Sequence, residues 1–204
     1  MPVTRRPYPL LLLLTVCIWG ASCKNNTPDN DNEPPSADSA YFSIRQFTKD
    51  QIHTYYGMPF TLYRVSHMNG AVDSTIVSFF DMDWSSILGI FSATDISPRK
   101  YIGKYAFSVA DDETTGDRGY SYTSIDPKAF TRLLQINTDP SNNRITSIYI
   151  ETAKRDFWGN KTQKLLYVPM HIIQIQETEG NLLGKARSLR VDYRFMQTDE
   201  VEQF

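Results

Sequence analysis

The chain has 204 residues, with 21 Lys+Arg against 23 Asp+Glu, a formal charge of -2 and an aromatic content of 13%. That balance lacks the broad basic surface a phosphate backbone requires, which excludes nucleic acid as the partner. Cys17 and Cys23 are the only cysteines; they provide neither a disulfide framework nor a Cys/His zinc cluster.

In chain order, Arg5 and Arg6 precede five leucines, Leu10 to Leu14, and the apolar run continues to Trp19 before Gly20-Ala21-Ser22-Cys23. A short cationic stretch, an apolar core and small residues before a cleavage point make a secretory leader. The run is too short for a spanning helix, which needs roughly 20 apolar residues. An ordinary secretory leader cut near Ser22, with Cys23 unmodified, is the rival reading. Ser22-Cys23-Lys24-Asn25 resembles the relaxed lipobox of Bacteroidota-type lipoproteins, although Gly20 stands where Leu is usual. The resemblance covers only the leader and the first tether residues. It implies that residues 1–22 are removed, that Cys23 is acylated, and that Cys23 holds the protein to the outer membrane, facing the periplasm or the cell surface. Several acyl chains on one residue make a durable anchor.

Removing residues 1–22 takes away Arg5 and Arg6 and no acids, leaving 19 Lys+Arg against 23 Asp+Glu. Residues 24–40 contain no large apolar side chain and are rich in Asn, Asp and Pro. They cannot bury enough surface to offset the entropy of ordering, so 23–40 reads as the acylated cysteine and a disordered tether. Asp38-Ser39-Ala40 and Asp73-Ser74-Thr75 resemble the short acceptor pattern for O-linked glycans in these bacteria, making Ser39 and Ser74 candidate acceptors.

From Tyr41 the composition turns aromatic and β-branched, and 41–204 reads as one globular domain. Thr48 with Gln51 forms a capping-box pattern that predicts a first helix, with Ile52, Tyr55 and Tyr56 on one face and a stop at Gly57. Strands are expected over 60–67 and 71–80, joined at Asn69-Gly70, which suits a type I′ turn. Asp83 caps a second helix whose Trp84, Ile87, Leu88 and Phe91 form an apolar stripe.

Beyond Pro98 the period becomes two. Tyr105, Phe107 and Val109 alternate with small or polar residues, an acidic loop over 111–117 turns the chain, and Tyr120 and Tyr122 alternate in turn. Further strands are predicted over 131–138, 145–153, 163–177 and 187–196, with Pro169 at an edge or bulge of its long strand. In the last, Leu189, Val191, Tyr193 and Phe195 form a buried face opposite a wet face of Arg190, Asp192 and Arg194. The connections are too short for parallel crossovers. The fold class is therefore α+β: a large curved antiparallel sheet of seven or eight strands with two short helices on one face. The alternative is a partly closed, lipocalin-like barrel.

Chemistry is sparse. His53, His67 and His171 stand far apart, Asp81 and Asp83 read as a helix cap and its neighbour, and Asp111-Asp112-Glu113 reads as a solvated loop. No metal or cofactor is expected. Aromatic side chains, combining a broad apolar face with a polar edge, are the candidate ligand contacts: Tyr105, Phe107, Tyr120 and Tyr122, and Trp158 in the loop Phe157-Trp158-Gly159-Asn160. Three classes of function follow. The preferred one is a non-enzymatic binding or accessory subunit of the envelope, partnered by an outer-membrane protein complex or a glycan. The second is a half-barrel carrier of lipid or another apolar ligand, and the third a hydrolase with an unrecognised site. A cavity lined by the four β-strand aromatics marks a carrier, converging carboxylates in a cleft mark an enzyme, and an exposed aromatic patch marks a binding subunit.

Overall fold

In the computed structural model, residues 41–56, 58, 60–156, 159–181 and 186–196 are described. The expected leader, Cys23, the expected tether with Ser39, Gly57 and Trp158 lie outside them.

Among the described residues two helices, α1 (Ile44–Tyr55) and α2 (Trp84–Ser92), accompany nine strands. The strands are β1 (Thr61–Met68), β2 (Ala71–Ser78), β3 (Tyr105–Asp111), β4 (Arg118–Ser124), β5 (Thr131–Asp139), β6 (Arg144–Asp156), β7 (Gly159–Val168), β8 (Ile172–Asn181) and β9 (Arg187–Met196). They form one antiparallel sheet in the order β2-β1-β9-β8-β7-β6-β5-β4-β3. The fold is α+β, as the patterning predicts. The sheet stays open, with β2 and β3 at its edges, and does not close into the barrel of the alternative reading.

The strand count exceeds the predicted seven or eight because the long segment 163–177 is two strands. Pro169 has no amide to donate to a ladder, Met170 takes a positive φ of 59°, and the His171 amide bonds the Val168 carbonyl at 3.1 Å. Pro169 therefore sits in a tight turn between β7 and β8, not at a bulge within one strand. Strand β2 also stops short of residue 80: Phe79–Asp81 form a single 3-10 turn. The turn at Asn69-Gly70 has φ values of 51° and 90°, as type I′ geometry demands.

Helix α1 starts five residues before the expected position, with Ser43 and not Thr48 at its cap. Ser43 accepts from the Gln46 amide at 3.2 Å. Thr48 is buried inside the helix, donating to the Arg45 carbonyl at 2.9 Å and touching the Ser92 hydroxyl of α2 at 2.5 Å. Its hydroxyl ties two helices together instead of opening one. Helix α2 follows the predicted pattern, with Asp83 accepting from the Ser86 amide at 3.1 Å and Trp84, Ile87, Leu88 and Phe91 buried.

Strand register explains where the core lies. Tyr167 pairs with Ile173, Ile173 with Tyr193, and Phe195 with Leu62, so these side chains share one face of the sheet. Both helices pack on that face. The Phe47 and Phe91 rings meet Tyr167 edge-on, and Trp84 stacks on Phe195 at 6.2 Å. Beneath them the Tyr55 and Tyr167 hydroxyls bond each other, and Tyr167 donates to Gln51 Oε1 at 2.6 Å. Burial pushes both phenols above their ordinary range.

Candidate functional site

The β3–β4 hairpin brings the four candidate strand aromatics onto the helix-bearing face. Phe107 pairs with Tyr122, Val109 with Tyr120 and Tyr105 with Ser124. They fall into two environments. Tyr105 and Tyr122 are 6% and 8% exposed, and the Tyr41 ring meets them edge-on at 5.7 and 5.5 Å. The Tyr105 hydroxyl donates to the Thr131 carbonyl at 2.9 Å, and burial pushes its phenol up to about 12. These two tyrosines are packed core, not the wall of a cavity.

Phe107 and Val109, one and two pairs further along the same face, are 53% and 49% exposed. Tyr120 is half-buried and lies nearly parallel to Phe107, at 6.4 Å and 17°. The Phe107 ring also sits 5.0 Å from Tyr122. An apolar strip thus runs from the packed core to open water at the sheet edge. Such offset ring contacts hold side chains in place while leaving their outer faces bare.

The reverse face of the same hairpin carries small residues. Ala106, Ser108 and Ala110 alternate with the strip on β3, and Gly119, Ser121 and Thr123 on β4. A hollow of about 200 Å³ lies there, lined by Ser108, Asp111, Gly119, Ser121, Gln135 and Asn137 among others. A Cβ on Gly119 would stand 3.1 Å from Asn137 Oδ1 and 3.4 Å from the Ala110 carbonyl oxygen, so a bare position there preserves the close approach of β3, β4 and β5. A second hollow of about 260 Å³ lies by Met68, Glu177, Glu179 and Arg187. Its two carboxylates are already engaged by the Lys161 ammonium, at 2.6 and 3.2 Å.

The acidic candidates have structural partners. Asp83 accepts from Ser85 Oγ at 2.7 Å and from both polar groups of Ser86, and those bonds, the Ser86 hydroxyl first, lower its carboxyl to about 2. Asp111 pairs with Arg118 at 2.8 Å, and Asp112 accepts from the Thr114 amide at 2.8 Å within its loop. Among the described residues no group of three or more His, Cys, Asp or Glu gathers as metal ligands would. His53 is on α1, His67 on β1 and His171 in the β7–β8 turn. Ser74, the glycan candidate, is exposed on edge strand β2.

No family model, curated protein or solved structure matches the chain.

Two features escaped the sequence pattern. Asp192 belongs to the face expected to be wet, yet is only 2% exposed. Arg190 folds over it with bonds of 3.0 and 2.9 Å from Nε and Nη2, so the pair shields its own acid. The alternation of charge at 190, 192 and 194 was the available signal. The second feature is Asp95, buried three residues beyond α2, for which spacing offered no cue.

Proposed function

We propose that this chain is a membrane-anchored lipoprotein of the cell envelope that acts as a non-enzymatic binding or accessory subunit. Its contact surface is the strip of Val109, Phe107 and Tyr120. The observation that carries this reading is the strip itself: a half-open phenylalanine, held by ring contacts to Tyr120 and the buried Tyr122, beside a half-open valine at the margin of an open sheet. Preorganised aromatic side chains form contact area at small entropic cost. The packing of Tyr105 and Tyr122 against Tyr41 favours this reading over a carrier, because the rings that would line a ligand cavity fill one another's space.

The leader and Ser22-Cys23 support the address, and the acidic balance of the chain argues against a nucleic-acid partner. A photoreactive benzoylphenylalanine in place of Tyr120, in the full chain within native envelopes, tests the surface. Irradiation is expected to give adducts heavier than two copies of the chain, absent when the probe replaces exposed Lys128. Equal labelling at the two positions, or none, would overturn the assignment.

A further inference from the structure

Strand β3 is an open edge whose hydrogen-bonding direction can be read from its loops. Its pairing with β4 aligns Lys104 with Ile125 and Asp112 with Asp117. The Ile125 amide bonds the Lys104 carbonyl at 2.9 Å, and the Asp112 amide bonds the Asp117 carbonyl at 2.8 Å. In an antiparallel ladder hydrogen-bonded pairs alternate with non-bonded ones. The even residues Ala106, Ser108 and Ala110 therefore aim their amides and carbonyls at β4. The odd residues Tyr105, Phe107, Val109 and Asp111 aim theirs away from the sheet, where no strand among the described residues pairs with them.

Proteins usually guard such edges with charge, proline or a bulge. From Tyr105 to Ala110 this strand has none of these, its one charge being Asp111 at the far end, paired with Arg118 of β4, and every residue after Tyr105 is exposed. The opposite edge, β2, is different: Asp73 stands within it, 3.9 Å from Arg64.

We infer that the β3 edge is completed by β3 of a second copy, antiparallel and centred on Ser108. Odd residues must face odd residues for the outward groups to bond, which leaves registers two residues apart. Centring on Phe107 places Lys104 opposite Ala110, and centring on Val109 sets Phe107 against Asp111. Centring on Ser108 sets Phe107 opposite Val109, Ala106 opposite Ala110, Tyr105 opposite Asp111, whose charge Arg118 already engages at 2.8 Å, and Lys104 opposite Asp112 at both ends. Charge complementarity and apolar pairing select that register. The two sheets become one, and the two exposed strips merge into a band on one face.

Cross-linking of the full chain in native envelopes tests this. Residues 108 and 108 form a non-hydrogen-bonded pair, whose Cα atoms lie roughly 4.5 Å apart, within the range a disulfide spans. Under a mild oxidant Ser108→Cys is expected to convert most of the protein to a covalent dimer. Ala106→Cys alone should stay monomeric, and Ala106→Cys mixed with Ala110→Cys should cross-link. The unaltered chain shows any contribution from Cys17 or Cys23. Val109→Pro removes only an outward amide, and adding it to Ser108→Cys should abolish the dimer. The proposal is overturned if the Ser108→Cys chain, its new thiol accessible to alkylation, stays monomeric or couples only to a different protein. It is equally overturned if the Ser108→Cys chain cross-links as well with Val109→Pro added as without it. A monomer here with Tyr120 adducts intact would leave the contact surface standing; a dimer with Tyr120 silent would do the reverse.

Discussion

Asp95 caps a helix that begins 51 residues before it: its Oδ1 accepts from the Ile44 amide at 3.1 Å. The same carboxylate accepts from Ser43 Oγ at 3.4 Å, Ser97 N at 3.2 Å and Ser97 Oγ at 3.0 Å. A helix start leaves amides without internal partners, and here the segment after α2 supplies one from outside. Asp95→Ala would leave the buried Ile44 amide unsatisfied, with an expected loss of about 1 to 3 kcal/mol. Denaturant unfolding of the variant checks this; an unchanged midpoint would mean that water or another group takes over the cap.

Phe91 is a fully packed ring over Tyr167, and Phe91→Ala is expected to cost about 3 to 5 kcal/mol through lost burial and a residual cavity. Tyr193, on the same sheet face but only half-buried, should cost less when truncated. Paired melts give the ordering, and an equal or reversed loss would contradict the packing described.

The Asp83 carboxyl is held at about 2 by the Ser86 and Ser85 hydroxyls and the Ser86 amide. A depressed folded-state value means that its contribution is fully present above the ordinary carboxylate range, roughly pH 4. The contribution then fades as pH falls through about 2. A carbon-detected NMR titration should place the Asp83 midpoint near that value, and a midpoint in the ordinary range would refute the capping geometry. Asp83→Asn keeps an accepting oxygen and should remove this acid dependence.

Local chemistry made much of the fold readable. Asn69-Gly70 announced a hairpin because few residues tolerate two consecutive positive φ angles, and the spacing of Trp84, Ile87, Leu88 and Phe91 announced α2 because 3.6 residues make a turn. Thr48 misled because its capping pattern is sound in isolation, while Ser43 and the distant Asp95 satisfy an earlier start. Pro169 misled because an edge and a tight turn both tolerate a missing amide. The site was half legible. Period two assigns Tyr105 and Phe107 to one face, but their different burial depends on how far Tyr41 reaches over the sheet, which no local pattern encodes.

Cys23→Ser in the full chain is expected to shift the protein from the membrane to the soluble fraction, since the proposed anchor is covalent lipid on that thiol. Detergent partitioning and mass spectrometry of the mature N-terminus decide it. A chain starting elsewhere with a free Cys23 would remove the anchor from the scheme.

Strand β1 lies between β2 and β9, pairing Thr61 with Met196. During synthesis the ribosome delivers both helices and the first hairpin long before β9 exists. Until then the α2 stripe has neither Tyr167 nor Phe195 to pack on, and β1 has only its hairpin partner. Such distant pairings slow folding because a long loop must close before any contact rewards it. Strand β9, made after the other described strands, therefore seats the first of them, and premature termination anywhere before Arg187 should leave a chain fit for degradation, not a smaller domain.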